Sequence, residues 1–174
     1  MVAGHSLGGI AILGVLDHGL ADAVDAVVLV STVHKRIEPG GLLKAAAVAF
    51  LQLASHRTHG IVMMRPGFGR NPHFDDLDEL RRNWAEFDGD TLADAAQGLA
   101  GFDYTDSLRS CALPTRVICG DADRVTPVKF SREIADLTPD AQLEVLSGVG
   151  HMATWEAPST VVRHICESVY AVVI

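Results

Sequence analysis

The sequence predicts an α/β fold, a parallel sheet flanked by helices, and three observations carry that prediction. Apolar, β-branched runs recur at Ala23 to Thr32, Thr115 to Gly120 and Gln142 to Leu146. The first is nearly continuous, as expected for a strand covered on both faces, and the other two are read as further strands of the same sheet. Segments with apolar residues at helical spacing separate or follow them, so that strand and helix alternate to the end of the chain.

The elements follow in order. From Leu7 to Leu20, the residues Leu7, Ile10, Ala11, Leu13, Gly14 and Leu16 crowd one face and its flanks, which predicts a helix packed under a sheet, with Gly19 near its end. Ala23 to Thr32 is the first full strand, Thr115 to Gly120 the second and Gln142 to Leu146 the third. Between the last two, Thr126 as N-cap and Pro127 at the first helical position mark a helix that continues through Val128 to Leu137. A final helix runs from about Pro158 to Val172, with Val161, Val162, Ile165 and Val169 at helical spacing.

Val33 to Leu113 interrupts this alternation with about eighty residues, where a crossover of roughly a dozen would connect two parallel strands. It holds an apolar helical stretch (Leu42 to Leu53), a turn-rich break (Arg65 to Pro72), an acidic amphipathic helix (Asp75 to Phe87) and a short helix around Thr91 to Leu99. Such an insertion reads as a helical lid, about residues 34–110, within a single domain of 174 residues.

Composition narrows the function. With 14 Lys+Arg against 22 Asp+Glu, and no basic cluster longer than Lys35-Arg36 or Arg81-Arg82, the chain lacks the electrostatic footprint of a nucleic-acid or anionic-membrane binder. Cys111, Cys119 and Cys166 are scattered, without C-x-x-C spacing, so neither a disulfide framework nor a thiolate metal site is expected and a reducing, cytoplasmic setting fits. The longest apolar region, Leu42 to Ala54, is too short to span a bilayer and is interrupted by Lys44 and Gln52.

Chemistry enters through three short segments. In Gly4-His5-Ser6-Leu7-Gly8-Gly9, glycines flank a serine at the mouth of a predicted helix, which permits a turn tight enough to hold the hydroxyl clear of the backbone. A serine hydroxyl needs a base to take its proton, and that base needs a carboxylate to fix its tautomer. Gly120-Asp121-Ala122-Asp123-Arg124-Val125-Thr126-Pro127 puts carboxylates directly after one strand, and Gly148-Val149-Gly150-His151-Met152 puts an imidazole directly after the next. Groups at the carboxyl ends of parallel strands collect on one rim, so Ser6, Asp123 and His151 are expected to converge there.

With these three motifs in the order Ser, Asp, His, the chain resembles the C-terminal part of an α/β-hydrolase-fold serine hydrolase, beginning at the nucleophile elbow. The resemblance implies acyl transfer without a cofactor or metal, and the apolar lid suggests a small-molecule ester of small or medium apolar character as substrate. Ser6 would be the nucleophile, His151 the base and Asp123 the acid, with Asp121 holding the loop and the Leu7 backbone N–H serving the oxyanion hole. It also implies that the strand entering the elbow and the four before it are absent. The strand at Val24 to Thr32 would then lack a neighbour on one side, and no segment here would supply the second oxyanion donor. The same triad serves amidases, thioesterases, carbon–carbon hydrolases and cofactor-free haloperoxidase-like enzymes, and a catalytically inactive fragment or a non-enzymatic binding protein is the alternative from another class.

Other residues have plainer readings. His5 packs or hydrogen-bonds beside the elbow, and Cys119 belongs to the core. His34, His56, His59 and His73 lack the spacing of a zinc motif. Met63 and Met64 near Phe68 read as lid packing, Trp84 carries no separate signal, and Trp155 lies close enough to His151 to help wall the site.

Overall fold

The computed structural model describes residues 1–19, 21–36, 65–70, 78–79, 82–83 and 101–173. Four strands, β1 (Val2–His5), β2 (Val27–Val30), β3 (Thr115–Gly120) and β4 (Ala141–Leu146), lie in the spatial order β1-β2-β3-β4. Every pair is parallel, with Val2 opposite Val27, Val27 opposite Thr115, and Thr115 opposite Ala141.

The expectation that β2 lacks a neighbour on one side is corrected: the four residues Val2 to His5 pair with it along its whole length. Three apolar or small residues and a histidine suffice because the backbone of β2 supplies the template. Pairing starts where Val2 N–H reaches the Ala26 carbonyl at 3.0 Å.

β2 is also shorter than its apolar run. Ala21–Ala23 forms one 3-10 turn, and Asp22 and Asp25 remain at the surface, so pairing begins only where both faces become buried. At the other end Ser31 leaves the strand with φ 46°, a conformation costly for a residue with a side chain.

Helix α1 (Leu7–Asp17) stops short of Leu20 because the His18 and Gly19 N–H groups turn back to the Gly14 and Leu16 carbonyls. Gly19 takes φ 78°, the left-handed C-terminal conformation that glycine adopts without a Cβ penalty. Among the described residues, helices α2 (Thr105–Ser110), α3 (Val128–Leu137), α4 (Ala153–Glu156) and α5 (Pro158–Val173) follow. α2 and α4 have six and four residues, too few to show a helical period in the sequence. Positions 78, 79, 82 and 83, which fall in the expected helix Asp75 to Phe87, are helical.

The period of two along each strand divides the core between two faces. Val27, Leu29 and Val117 pack with Leu13 of α1, Leu108 of α2 and Ile134 of α3. Val28, Val30, Ile118 and Leu146 pack with Ala153 of α4 and Val161 of α5. Every residue of β2 is buried, which accounts for its lack of polar alternation.

The chain leaves and re-enters this core through a narrow neck. Lys35 and Asp103 form an antiparallel bridge, with Arg36 N–H donating to Phe102 O at 3.0 Å and Tyr104 N–H to His34 O at 2.8 Å. No helix among the described residues is long and apolar enough to cross a membrane.

Candidate active site

Ser6 forms the turn between β1 and α1 with φ 52° and ψ −117°, a strained conformation for a non-glycine residue. The surroundings hold it there. Ser6 N–H donates to Val30 O at 2.9 Å, the Thr32 hydroxyl donates to Ser6 O at 2.8 Å, and the amides of Gly9 and Ile10 converge on that same carbonyl.

Two glycines make room for the turn. A Cβ on Gly4 would lie 2.6 Å from the Gly8 carbonyl group, and one on Gly9 would lie 2.6 Å from the Thr32 hydroxyl oxygen. A Cβ on Gly8 would meet nothing within 4 Å. The glycine two residues past the serine therefore matters less for packing than the one after it.

Asp123 stands in the loop after β3 and His151 in the loop after β4, and both are buried, at 5% and 6% exposure. The His151 ring joins the two other groups through opposite nitrogens. Nδ1 lies 3.0 Å from Asp123 Oδ2, and Nε2 lies 2.9 Å from Ser6 Oγ. A carboxylate only accepts, so Nδ1 carries the proton and Nε2 offers its lone pair to the serine hydroxyl.

The carboxylate is held charged. Burial pushes the Asp123 pKa up, but the hydrogen bond and charge of His151, together with the backbone and hydroxyl donors of Thr126, bring it below the usual carboxylate range. Asp123 Oδ1 accepts from the Val125 and Thr126 amides, each at 2.8 Å, and Oδ2 accepts from the Thr126 hydroxyl at 2.7 Å. The expected N-cap role of Thr126 is thereby corrected. α3 begins at Val128 with Pro127 in the cap position, and the Thr126 hydroxyl is taken by a charged acceptor.

Neighbouring contacts fix the two loops. Asp121 Oδ1 accepts from Gly148 N–H at 2.7 Å, joining the loop after β3 to the loop after β4. Residues 65–70 cross the histidine loop as a strap: Met152 N–H donates to Gly67 O at 3.0 Å and Arg70 N–H to Gly148 O at 2.9 Å. Glu156 clamps both segments, with one carboxylate oxygen 2.7 Å from Gly69 N and the other 2.8 Å from Gly150 N. The Arg65 guanidinium closes the strap on itself by donating to the Phe68, Gly69 and Arg70 carbonyls.

The structure thus brings together Ser6, Asp123 and His151. It sets the Leu7 amide at the head of α1, in the first turn where N–H groups have no intrahelical partner. His5 lies beside the elbow, and Cys119 is buried in β3, its thiol pushed up by burial. Trp155 is half-buried on α4, a helical turn beyond His151.

His34 sits at the neck, fully buried, with Glu133 Oε2 at 4.0 Å from its Nε2. His56, His59, His73, Met63, Met64 and Trp84 lie outside the described residues. Among the described residues no three His, Cys, Asp or Glu side chains are grouped to hold a metal ion.

Sequence reasoning missed Thr126, Glu156 and Arg65 as site residues. The Asp-x-x-Thr spacing was a usable signal for the first, since an aspartate commonly accepts from amides two and three residues on. Glu156 and Arg65 act on backbone groups brought close only by the tertiary fold, and no spacing announces that.

Comparison with known proteins follows the same lines. Residues 1–164 match the model of the alpha/beta hydrolase family. The fold is similar to that of a thermophilic esterase from Thermogutta terrifontis, with a TM-score of 0.82 and 22% identity over 98% of this chain and 64% of that one. It is also similar to an esterase from Exiguobacterium antarcticum (TM-score 0.75, 19% identity, 95% of this chain and 65% of that one). A bromoperoxidase from Bacillus anthracis is similar at TM-score 0.76 and 16% identity, over 97% of this chain and 66% of that one. The chain spans 64% of the length of the first of these. No curated protein sequence matches it.

Proposed function

Because the chain belongs to the alpha/beta hydrolase family, we propose that it hydrolyses a carboxylic ester of a small or medium apolar molecule through Ser6, His151 and Asp123. One observation carries this reading: a single imidazole bridges the Ser6 hydroxyl and the Asp123 carboxylate at 2.9 and 3.0 Å, through its two different nitrogens. That is the arrangement a serine nucleophile needs.

In the proposed reaction His151 Nε2 takes the Ser6 proton as Oγ attacks the ester carbonyl, and Asp123 stabilises the imidazolium. The same proton then goes to the departing alcohol, leaving an acyl-serine. Water, deprotonated by His151, attacks the acyl carbon; His151 returns the proton to Ser6 Oγ as the acid leaves. The Leu7 N–H, with the positive end of α1 behind it, faces the developing oxyanion.

The reading is supported by the ordering of all three groups at the carboxyl ends of parallel strands, where such sheets place their chemistry. A chromogenic short-chain ester and a fluorophosphonate probe test it. Turnover together with one label per chain, both lost in Ser6→Ala, is the expected result. Turnover that persists unchanged in Ser6→Ala defeats the assignment. Absence of both turnover and label favours the binding-protein reading.

A further inference from the structure

We propose that Thr126 is a positioning residue for the histidine base, acting through its hydroxyl as a second partner for the His151 ring. This rests on the triad reading of Ser6, His151 and Asp123.

The geometry is a closed triangle of three polar groups. Thr126 Oγ lies 2.7 Å from Asp123 Oδ2 and 3.1 Å from His151 Nδ1, while Oδ2 and Nδ1 are 3.0 Å apart. The Thr126 side chain is buried, at 7% exposure, and so are its two partners. Only one arrangement of protons satisfies all three contacts with a charged carboxylate. The hydroxyl hydrogen points at Oδ2, which leaves the oxygen lone pairs facing Nδ1, and the Nδ1 proton is shared between carboxylate and hydroxyl. The ring is therefore held by two acceptors at an angle to each other, where a carboxylate oxygen alone would let it swing about one contact.

The local sequence builds this triangle. Asp123 Oδ1 is occupied by the Val125 and Thr126 amides, which turns the carboxylate so that Oδ2 faces the ring. Pro127 has no N–H to compete for the carboxylate, and it biases the residue before it toward an extended backbone. With two donors on each oxygen, Asp123 is fully satisfied.

Two consequences follow from removing the hydroxyl. The ring loses one of its anchors, so the fraction of molecules with Nε2 aligned on Ser6 falls. At the same time Oδ2 loses a donor and the Nδ1 proton one of its two acceptors, so the hydrogen bonding that the base meets on protonation changes. A side chain that served only to fill space would leave both the rate and the pH dependence of turnover unchanged when its hydroxyl is replaced by a methyl.

Wild type, Thr126→Val and Thr126→Ser are compared in ester hydrolysis from pH 5 to 9, with folded fraction measured by circular dichroism. For Thr126→Val, kcat is expected to fall about tenfold with KM within about twofold, and the acid limb of kcat/KM to move from its wild-type position. Thr126→Ser, which keeps the hydroxyl, is expected to restore both the rate and the limb. If Thr126→Val does not fold, Thr126→Ala is held to the same criteria. A folded hydroxyl-free variant with the wild-type rate and profile overturns the proposal. So does an equal loss in the valine and serine variants, because the retained hydroxyl then rescues nothing. Wild type that neither turns over ester nor labels at Ser6 brings down the triad reading first, and this proposal with it.

Discussion

His5 Nε2 donates to the backbone carbonyl of His151 across 2.7 Å, and the two rings lie 5.1 Å apart, centre to centre. The residue before the serine is thus tied to the residue proposed as its base. Burial lowers the His5 pKa, so the ring stays neutral near pH 7 and acts as a donor without adding charge beside His151.

Replacing His5 by Phe keeps a ring of similar size and removes the donor. A buried carbonyl then loses its partner, at a cost of about 1–3 kcal/mol. We expect the histidine loop to shift and kcat to fall on the order of tenfold, read in ester turnover at saturating substrate. A variant as fast as wild type would show that the hydrogen bond does not position the loop.

The elbow glycines are expected to differ in tolerance. Gly4→Ala and Gly9→Ala force a methyl against backbone or against Thr32 at 2.6 Å, and each should lower stability by about 2–4 kcal/mol. Gly8→Ala has open space and a place in the first turn of α1. It should be neutral or stabilise by up to about 1 kcal/mol. Chemical denaturation of the three variants checks the order, and a Gly8→Ala as damaging as Gly4→Ala would contradict it.

His34 should make the fold sensitive to acid. Its ring is fully buried, and neither nitrogen has a hydrogen-bond partner among the described residues. Burial and the nearby Lys35 lower its pKa, against the opposing pull of Glu133 and Asp103. The unfolded chain therefore binds a proton on this group more readily than the folded one, and stability falls as the pH drops below about 6.5. Thermal melting of His34→Leu between pH 8 and 5 should show a flatter pH dependence than wild type. Identical slopes would mean that His34 does not contribute.

Glu156→Ala removes both acceptors of the clamp between Gly69 and Gly150. Two part-buried amides are left unpaired, which should cost about 2 kcal/mol or more and loosen the histidine loop ahead of the sheet. Hydrogen exchange at the Gly69 and Gly150 amides should accelerate while exchange in β3 stays slow. Unchanged protection at both glycines would show that the carboxylate is not what holds them.

The sheet was legible in the sequence because β2 and the stretch Val117 to Gly120 of β3 are buried on both faces, and such stretches are built from apolar or small residues. The ends of β2 were not legible. Pairing partners and the left-handed turn at Ser31 set those limits, and neither leaves a mark in composition. β1 was missed for a related reason: four residues show no period, and their strand character comes from the neighbour they pair with. Ser6, Asp123 and His151 stood out because each lies in a glycine-bearing loop just past a strand. Thr126 looked like a helix cap because hydroxyl residues before Pro commonly are, and only the nearby carboxylate redirected it.

The bridge between Lys35 and Asp103 also bears on how this protein could be altered. Two backbone positions held in register mark where the segment leaves and rejoins the sheet, and between them residues 65–70 touch down on the loop that carries His151. The closure entropy of such a segment grows only logarithmically, by about 0.6 kcal/mol for each doubling. Segments of other lengths and sequences could therefore be spliced in on either side of residues 65–70 at little cost to the sheet. Such exchanges would leave Ser6, Asp123, His151 and the strap across the histidine loop untouched.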